Sequence, residues 1–328
     1  MVASVRVSAP GKLMLLGEHA VVHGRPCLVT AMDARLSMTL TRVESPTFSI
    51  DAPDVGVRRV SGSLADAFRD GRALAPGTRF IESALRLFHE QVGLSGGVSI
   101  VTHSDFVSTL GLGSSSATVA CTLFGLAQLE GVDIPPIELF EWGLQAIRQV
   151  QGTGSGFDLA AALLGGTLLY QAEPRRIEPL EVSELPLLAG YSGVKADTAT
   201  YVSRVTARRT SYPAAVEHIF DAMGLLVLEG RAALLQSDWA RLGELMDIQH
   251  GLTHALGVDV RQTAALVFAA REAGAWGAKL SGAGGGDCVI ALTPADRRIA
   301  VIEAWQAAGG ALVQVAPNAP GVCLETER

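Results

Sequence analysis

A mixed α+β chain in two lobes is the fold class that this sequence predicts, and three observations carry it. Strand-like alternation dominates the first forty residues, helical spacing dominates the long stretch from 214 to 273, and an acidic, loop-like segment, Pro174 to Pro186, lies between them. The boundary placed in that segment divides the chain into residues 1–180 and 181–328. At 328 residues, with 48% hydrophobic and 18% charged side chains, the chain has the length for two ordinary domains and the apolar content for a sizeable core. Global disorder is excluded.

The elements follow in order. Residues 4–9 alternate as a strand entering a Pro10-Gly11 turn, a second apolar run covers Leu13 to Leu16, and the polar cluster Gly17-Glu18-His19 follows. Residues 35–41 alternate well at period two. Apolar positions over 78–93 recur at helical spacing, and residues 96–102 read as another strand. Small and apolar residues from Ser114 to Leu129 predict a buried helix, and Pro135-Pro136 opens a further one that runs to Val150. A glycine-rich connection leads into the small-residue helix starting at Phe157-Asp158. Beyond the boundary come helical patterns at Ala214–Leu235, Trp239–Leu256 and Thr263–Ala273, then a strand pair, Asp287–Leu292 and Ala311–Val315, with a helix between.

Composition removes several functional classes. A net charge of −7 leaves no electrostatic footprint for nucleic acid or an anionic membrane. The longest apolar stretches are too short to span a bilayer, and the first residues alternate rather than forming a signal peptide's apolar core. Cys27, Cys121, Cys288 and Cys323 are far apart with no CxxC, which suits reduced thiols in a cytoplasmic protein. His19 and His23 sit among Gly17, Gly24 and Pro26, and His250 and His254 lack the Glu of an HExxH helix, so zinc is not indicated.

Glycine makes up 36 residues, about one in nine against a usual value of about 7%, and the excess is local. Leu110-Gly111-Leu112-Gly113-Ser114-Ser115-Ser116-Ala117 stands immediately before a predicted helix. Its glycines let successive N–H groups face one concavity, and the helix adds unpaired donors and the positive end of its dipole. Hydroxyls of Ser114, Ser115 and Ser116 can touch phosphate or a metal. The site is built for a polyanion, for which a nucleoside triphosphate is the commonest candidate; a serine-capped helix is the plainer alternative. A second run, Lys279 to Cys288, places four glycines in the five positions from Gly282 to Gly286. A third, Gln151 to Asp158, presents one carboxylate at a helix start, where it can cap the helix or take a proton from a hydroxyl. Neither a Walker A loop nor an N-terminal GxGxxG occurs.

Three of these elements in fixed order resemble the GHMP kinase family: Ala9-Pro10-Gly11-Lys12-Leu13 through Gly17-Glu18-His19 to Gly24, then Gly111 to Ala117, then Lys279 to Cys288. The likeness spans nearly the whole chain. It implies an N-terminal α/β domain with a left-handed βαβ crossover, a ferredoxin-like C-terminal domain, and ATP with Mg²⁺ in the groove between them. By position, Asp158 would be the catalytic base and Lys12 would stabilise charge on the transferring group. Gly111, Leu112, Gly113, Ser114, Ser115, Ser116, Gly282 and Gly284 would bind ATP, and Ser115 would also ligate Mg²⁺. Glu18, His19, Lys195 and Thr198 would surround the acceptor, a small molecule.

The first motif is closest in wording to mevalonate kinases, so the resemblance implies phosphorylation of mevalonate's primary hydroxyl. Two features pull elsewhere. Animal-type mevalonate kinases carry a Mg²⁺-binding Glu eleven residues before the catalytic Asp, where this chain has Ile147, with Glu138 and Glu141 the acidic residues nearest in sequence. The Gly284-Gly285-Gly286-Asp287-Cys288 ending and the Gln151–Asp158 run look more like phosphomevalonate kinase. A phosphorylated acceptor would call for extra cations, for which Lys195, Arg204, Arg208 and Arg209 are the candidates; the three arginines read better as a solvated helical face. A nucleotide-binding regulator without chemistry is the alternative of another class, and a homodimer is left open. Retention of both Lys12 and Asp158 speaks for a kinase.

Overall fold

The computed structural model of the protein describes residues 3–105 and 111–325, so Leu110, at the edge of the second motif, lies outside the described residues. The chain opens with two long antiparallel strands, β1 (Ser4–Leu16) and β2 (Cys27–Val43), followed by the hairpin β3 (Thr47–Ala52) and β4 (Val57–Ser63). Next come α1 (Arg79–Gln91) and β5 (Gly97–Ser104), then α2 (Ser114–Glu130), α3 (Pro136–Gln151) and α4 (Phe157–Leu164). The strands β6 (Thr167–Gln171) and β7 (Arg176–Leu180) complete this half. β2 divides its pairing: residues 27–30 bond to β6 and residues 36–43 bond to β5, which in turn runs parallel to β3.

The second half begins at β8 (Leu187–Tyr191) and continues through α5 (Thr198–Ser211), α6 (Pro213–Leu235), α7 (Trp239–Ala255) and α8 (Arg261–Glu272). It ends with β9 (Gly277–Ser281), β10 (Cys288–Leu292), α9 (Arg298–Ala307) and β11 (Ala311–Val313). The sheet order β11-β8-β10-β9, antiparallel throughout, is that of a ferredoxin-like βαββαβ unit with extra helices after its first strand. A short last strand, β12 (Cys323–Leu324), returns to pair with β1.

Two sequence expectations are corrected here. Pro10-Gly11 is no turn: β1 runs straight through it, and β2 absorbs the irregularity, with Pro10 opposite Arg35 and Gly11 opposite Met32. Proline's missing N–H ends one register and begins another instead of reversing the chain. The strands at 287–292 and 311–315 do share a sheet, but β8 lies between them. Strand β8 is short and follows an acidic, proline-bearing segment, so its five residues carry no period of their own.

One apolar core serves both halves. It joins Leu13, Leu15 and Leu16 of β1 and the inner face of α2 to Val227 of α6, Leu242 and Met246 of α7, and Ile290 of β10. A second, smaller cluster lies on the other side of the C-terminal sheet, where Trp305 is fully buried and its indole N–H donates to Leu266 O at 2.9 Å. The halves are also tied by polar contacts: Met14 N–H donates to Ser281 Oγ, and that hydroxyl donates back to Met14 O, both at 3.0 Å. No described helix is long and apolar enough to cross a membrane.

Candidate active site

The site forms where β1, the start of α2 and the start of α4 meet. Lys12 is a buried residue near the middle of β1. Its backbone N–H donates to Leu112 O at 2.8 Å, and its ammonium donates to Gly111 O at 3.2 Å. The same ammonium lies 3.2 Å from Asp158 Oδ1 and 5.4 Å from the centre of the Phe157 ring. Desolvating an ammonium is costly unless a carboxylate and backbone carbonyls surround it, and this cage supplies both. Asp158 keeps a third of its side chain exposed, against 9% for Lys12, so it is the more accessible member of the pair.

Gly113 makes the close approach feasible. It caps α2 in the left-handed region, at φ 87°, and a Cβ there would stand 3.2 Å from Lys12 Cγ and 3.9 Å from Asp158 Cβ. Ser114, Ser115 and Ser116 form the first turn of α2, the first two half-buried and the third buried. Their backbone donors and the helix dipole sit beside the Lys12–Asp158 pair, an arrangement that favours a polyanion. The predicted residues Lys12, Gly111, Leu112, Gly113, Ser114, Ser115, Ser116 and Asp158 are therefore brought to one place.

The remaining predicted residues are disposed differently. Glu18 is 1% exposed, and its carboxylate is ion-paired with the fully buried Lys279 of β9 and accepts from Gln249 Nε2 at 3.2 Å. That carboxylate is engaged across the two halves of the molecule. His19 is also buried; its Nε2 lies 3.0 Å from Ala283 O, between Gly282 and Gly284. Gly282 faces open space, whereas Gly284 is packed on Val258 O and Gly285 on the ring of Tyr201. Lys195 and Thr198 are exposed, Thr198 at the first residue of α5 and Lys195 just before it.

Ile147 is buried in the apolar core of α3, packed against Gly154. Glu141 is ion-paired with Arg175, and Glu138 sits exposed in the first turn of α3, so neither stands in at the Ile147 position. No group of three or more His, Cys, Asp or Glu side chains among the described residues could hold a metal. Asp287 is the carboxylate that sequence reasoning left without a role. It stands at φ 54°, its Oδ1 accepts from Ala196 N–H at 2.9 Å, and burial raises its carboxyl above the usual range. The signal was present in the sequence as the one charged residue closing a run of glycines.

Burial pushes His19 down to about 4, opposed by its contact with Ala283 O. A folded-state value below the unfolded 6.5 means the unfolded chain binds the extra proton first. The stabilisation from neutral His19 is thus full above pH 6.5, falls as pH drops toward 4, and is absent below that. His19→Asn, which tolerates the positive φ of 61° at this position, is expected to flatten stability against pH between those limits. Urea denaturation at pH 7 and pH 5 measures it; an unchanged slope would remove His19 as the source.

The family model described as GHMP kinases N terminal domain matches residues 79–166, and that described as GHMP kinases C terminal matches residues 231–311. The chain is 34% identical to a mevalonate kinase of Thermococcus sibiricus over 330 residues, covering 98% of each protein. It is 36% identical to a mevalonate kinase of Pyrococcus horikoshii, covering 94% of each. Among solved structures, the Lin0012 protein of Listeria innocua superposes with a TM-score of 0.88 at 21% identity, covering 99% of this chain and 100% of that one. With the three glycine-bearing motifs in order, both family models matched and relatives similar from end to end, the chain belongs to the GHMP kinase family.

Proposed function

We propose that the protein transfers the γ-phosphoryl group of ATP to the primary hydroxyl of mevalonate. The observation that carries the reading is the Lys12–Asp158 contact at 3.2 Å, held beside the capped start of α2. A protein that only sensed nucleotide would have no use for a carboxylate placed there. The relatives of similar length named mevalonate kinase supply the acceptor.

Phosphoryl transfer asks a protein mainly for positioning and charge neutralisation. The N–H groups at the start of α2 would receive the phosphates, and Lys12 would face the charge that develops as the bond to the leaving ADP breaks. Asp158 would accept the hydroxyl proton as the new oxygen–phosphorus bond forms. The hydroxyl donors of α2 fit a Mg²⁺ that arrives with the nucleotide: Ser115 would contribute the protein ligand, with phosphates and water completing the shell. When bound, the ion supplies charge neutralisation of the β- and γ-phosphates. Lys195 and Thr198, before and at the start of α5, would meet the acceptor's carboxylate and hydroxyls. His19, on the other wall, would hold the third motif in place through Ala283.

A coupled ADP-release assay with mevalonate and 5-phosphomevalonate side by side tests the reading. Mevalonate is expected to be preferred in kcat/KM by about tenfold or more. Turnover confined to 5-phosphomevalonate would reassign the acceptor. Tight ATP binding with no turnover on either would leave a regulator.

A further inference from the structure

Asp287 closes the glycine run in the left-handed region and is fixed on the segment before α5 by three bonds. Its N–H donates to Val194 O at 2.8 Å, its carbonyl accepts from Ser192 N–H at 2.9 Å, and its Oδ1 accepts from Ala196 N–H at 2.9 Å. The other carboxylate oxygen is turned to the phosphate-loop side. A Cβ on Gly111 would stand 2.5 Å from Asp287 Oδ2, so only a glycine lets that turn pass so close to this carboxylate. The carbonyl of the same Gly111 accepts from Lys12 Nζ at 3.2 Å, and Lys12 in turn meets Asp158. Neighbouring glycines leave the run no slack, because Gly284 and Gly285 are packed on Val258 and Tyr201.

We propose that Asp287 is a positioning residue that ties the Gly111 turn to the 194–198 segment, so that the nucleotide side and the acceptor side of the site become ordered together. The proposal rests on the reading above in taking the 194–198 segment as the acceptor side. One carboxylate spans both surfaces: its first oxygen holds the segment carrying Lys195 and Thr198, and its second buttresses the turn that presents Gly111 O to Lys12. Lys12 and Lys195 both attract the ionised form, against the cost of burial. Binding at either surface stiffens the shared carboxylate, and the second ligand then meets a partner already in register.

The test uses Asp287→Gly, which accepts the positive φ without strain and removes the tie, and Asp287→Asn, which keeps an oxygen for Ala196 N–H. Affinity for a non-hydrolysable ATP analogue is measured with and without saturating mevalonate, and amide exchange is followed over residues 192–198. Wild type is expected to bind the analogue about fivefold or more tighter with acceptor present. Asp287→Gly should bring that ratio to about one, lose exchange protection at 192–198 and lower kcat/KM by about tenfold or more, while Asp287→Asn retains the coupling. A wild-type ratio of one, or an Asp287→Gly protein with coupling and protection intact, overturns the proposal. So does a variant whose altered metal-ion dependence accounts for the whole loss. If wild type turns over only 5-phosphomevalonate, the functional reading fails and the coupling is measured with that acceptor instead. The exchange measurement needs no acceptor at all.

Discussion

Asp158→Asn is expected to lower kcat by about 10²- to 10⁴-fold while affinity for an ATP analogue stays within about threefold. Asparagine matches the carboxylate in shape, so the start of α4 should survive, and what disappears is the capacity to accept a proton. Asp158 is well placed for that loss to show. It is the exposed member of the pair with Lys12, whose own ammonium is enclosed by Gly111 O, Asp158 and the Phe157 ring. Steady-state ADP release and calorimetric titration with the analogue separate the two quantities. A purified, folded Asp158→Asn protein with ordinary turnover would remove the carboxylate from the chemistry. A parallel collapse of nucleotide affinity would make it a binding group instead.

The second large effect concerns stability. Lys279→Met is expected to destabilise the fold by about 3–5 kcal/mol, because it strands the Glu18 carboxylate without its cation in a site closed to water. Both partners are essentially inaccessible, and burial, with a smaller push from the charge of Lys12, holds the Lys279 ammonium below its usual range while Glu18 opposes that shift. The double variant Glu18→Gln with Lys279→Met should recover more than half of the loss, since neither buried charge then remains. Urea denaturation of the wild type, both single variants and the double variant gives the coupling. Additive losses would mean that the ion pair contributes nothing beyond packing. The pair joins the first motif to β9, so its loss is also expected to loosen the contact between the two halves.

The elements with strong local signals were legible in the sequence. The helix after Gly113 and the helix opened by Pro136 are found where small or apolar spacing and proline placed them, with α2 at Ser114–Glu130 and α3 at Pro136–Gln151. The long C-terminal helices follow their spacing in the same way, α6 ending at Leu235 and α7 opening at Trp239. Pro10-Gly11 failed because dipeptide turn chemistry is only a local preference. Ten paired residues of β1, six before Pro10 and four after Gly11, continue the ladder along β2 on either side and override it. Strands β3, β4, β6, β7, β8 and β9 escaped, β7 inside the segment read as a loop, because their stability comes from neighbours distant in sequence.

The candidate site divides in the same way. By itself the sequence determined which chemical groups the protein has available: a lysine on the first strand, serines after a glycine turn, an aspartate opening a helix, and their order along the chain. Those are properties of residue type and local backbone freedom, and short-range physics is enough to read them. Only the tertiary structure decided which groups face one another. It placed Lys12 against Asp158, withdrew Glu18 into a buried pair with Lys279, and set Asp287 across the Gly111 turn. Charge pairing and desolvation depend on separations of a few ångströms between residues more than a hundred positions apart, and no local pattern encodes them.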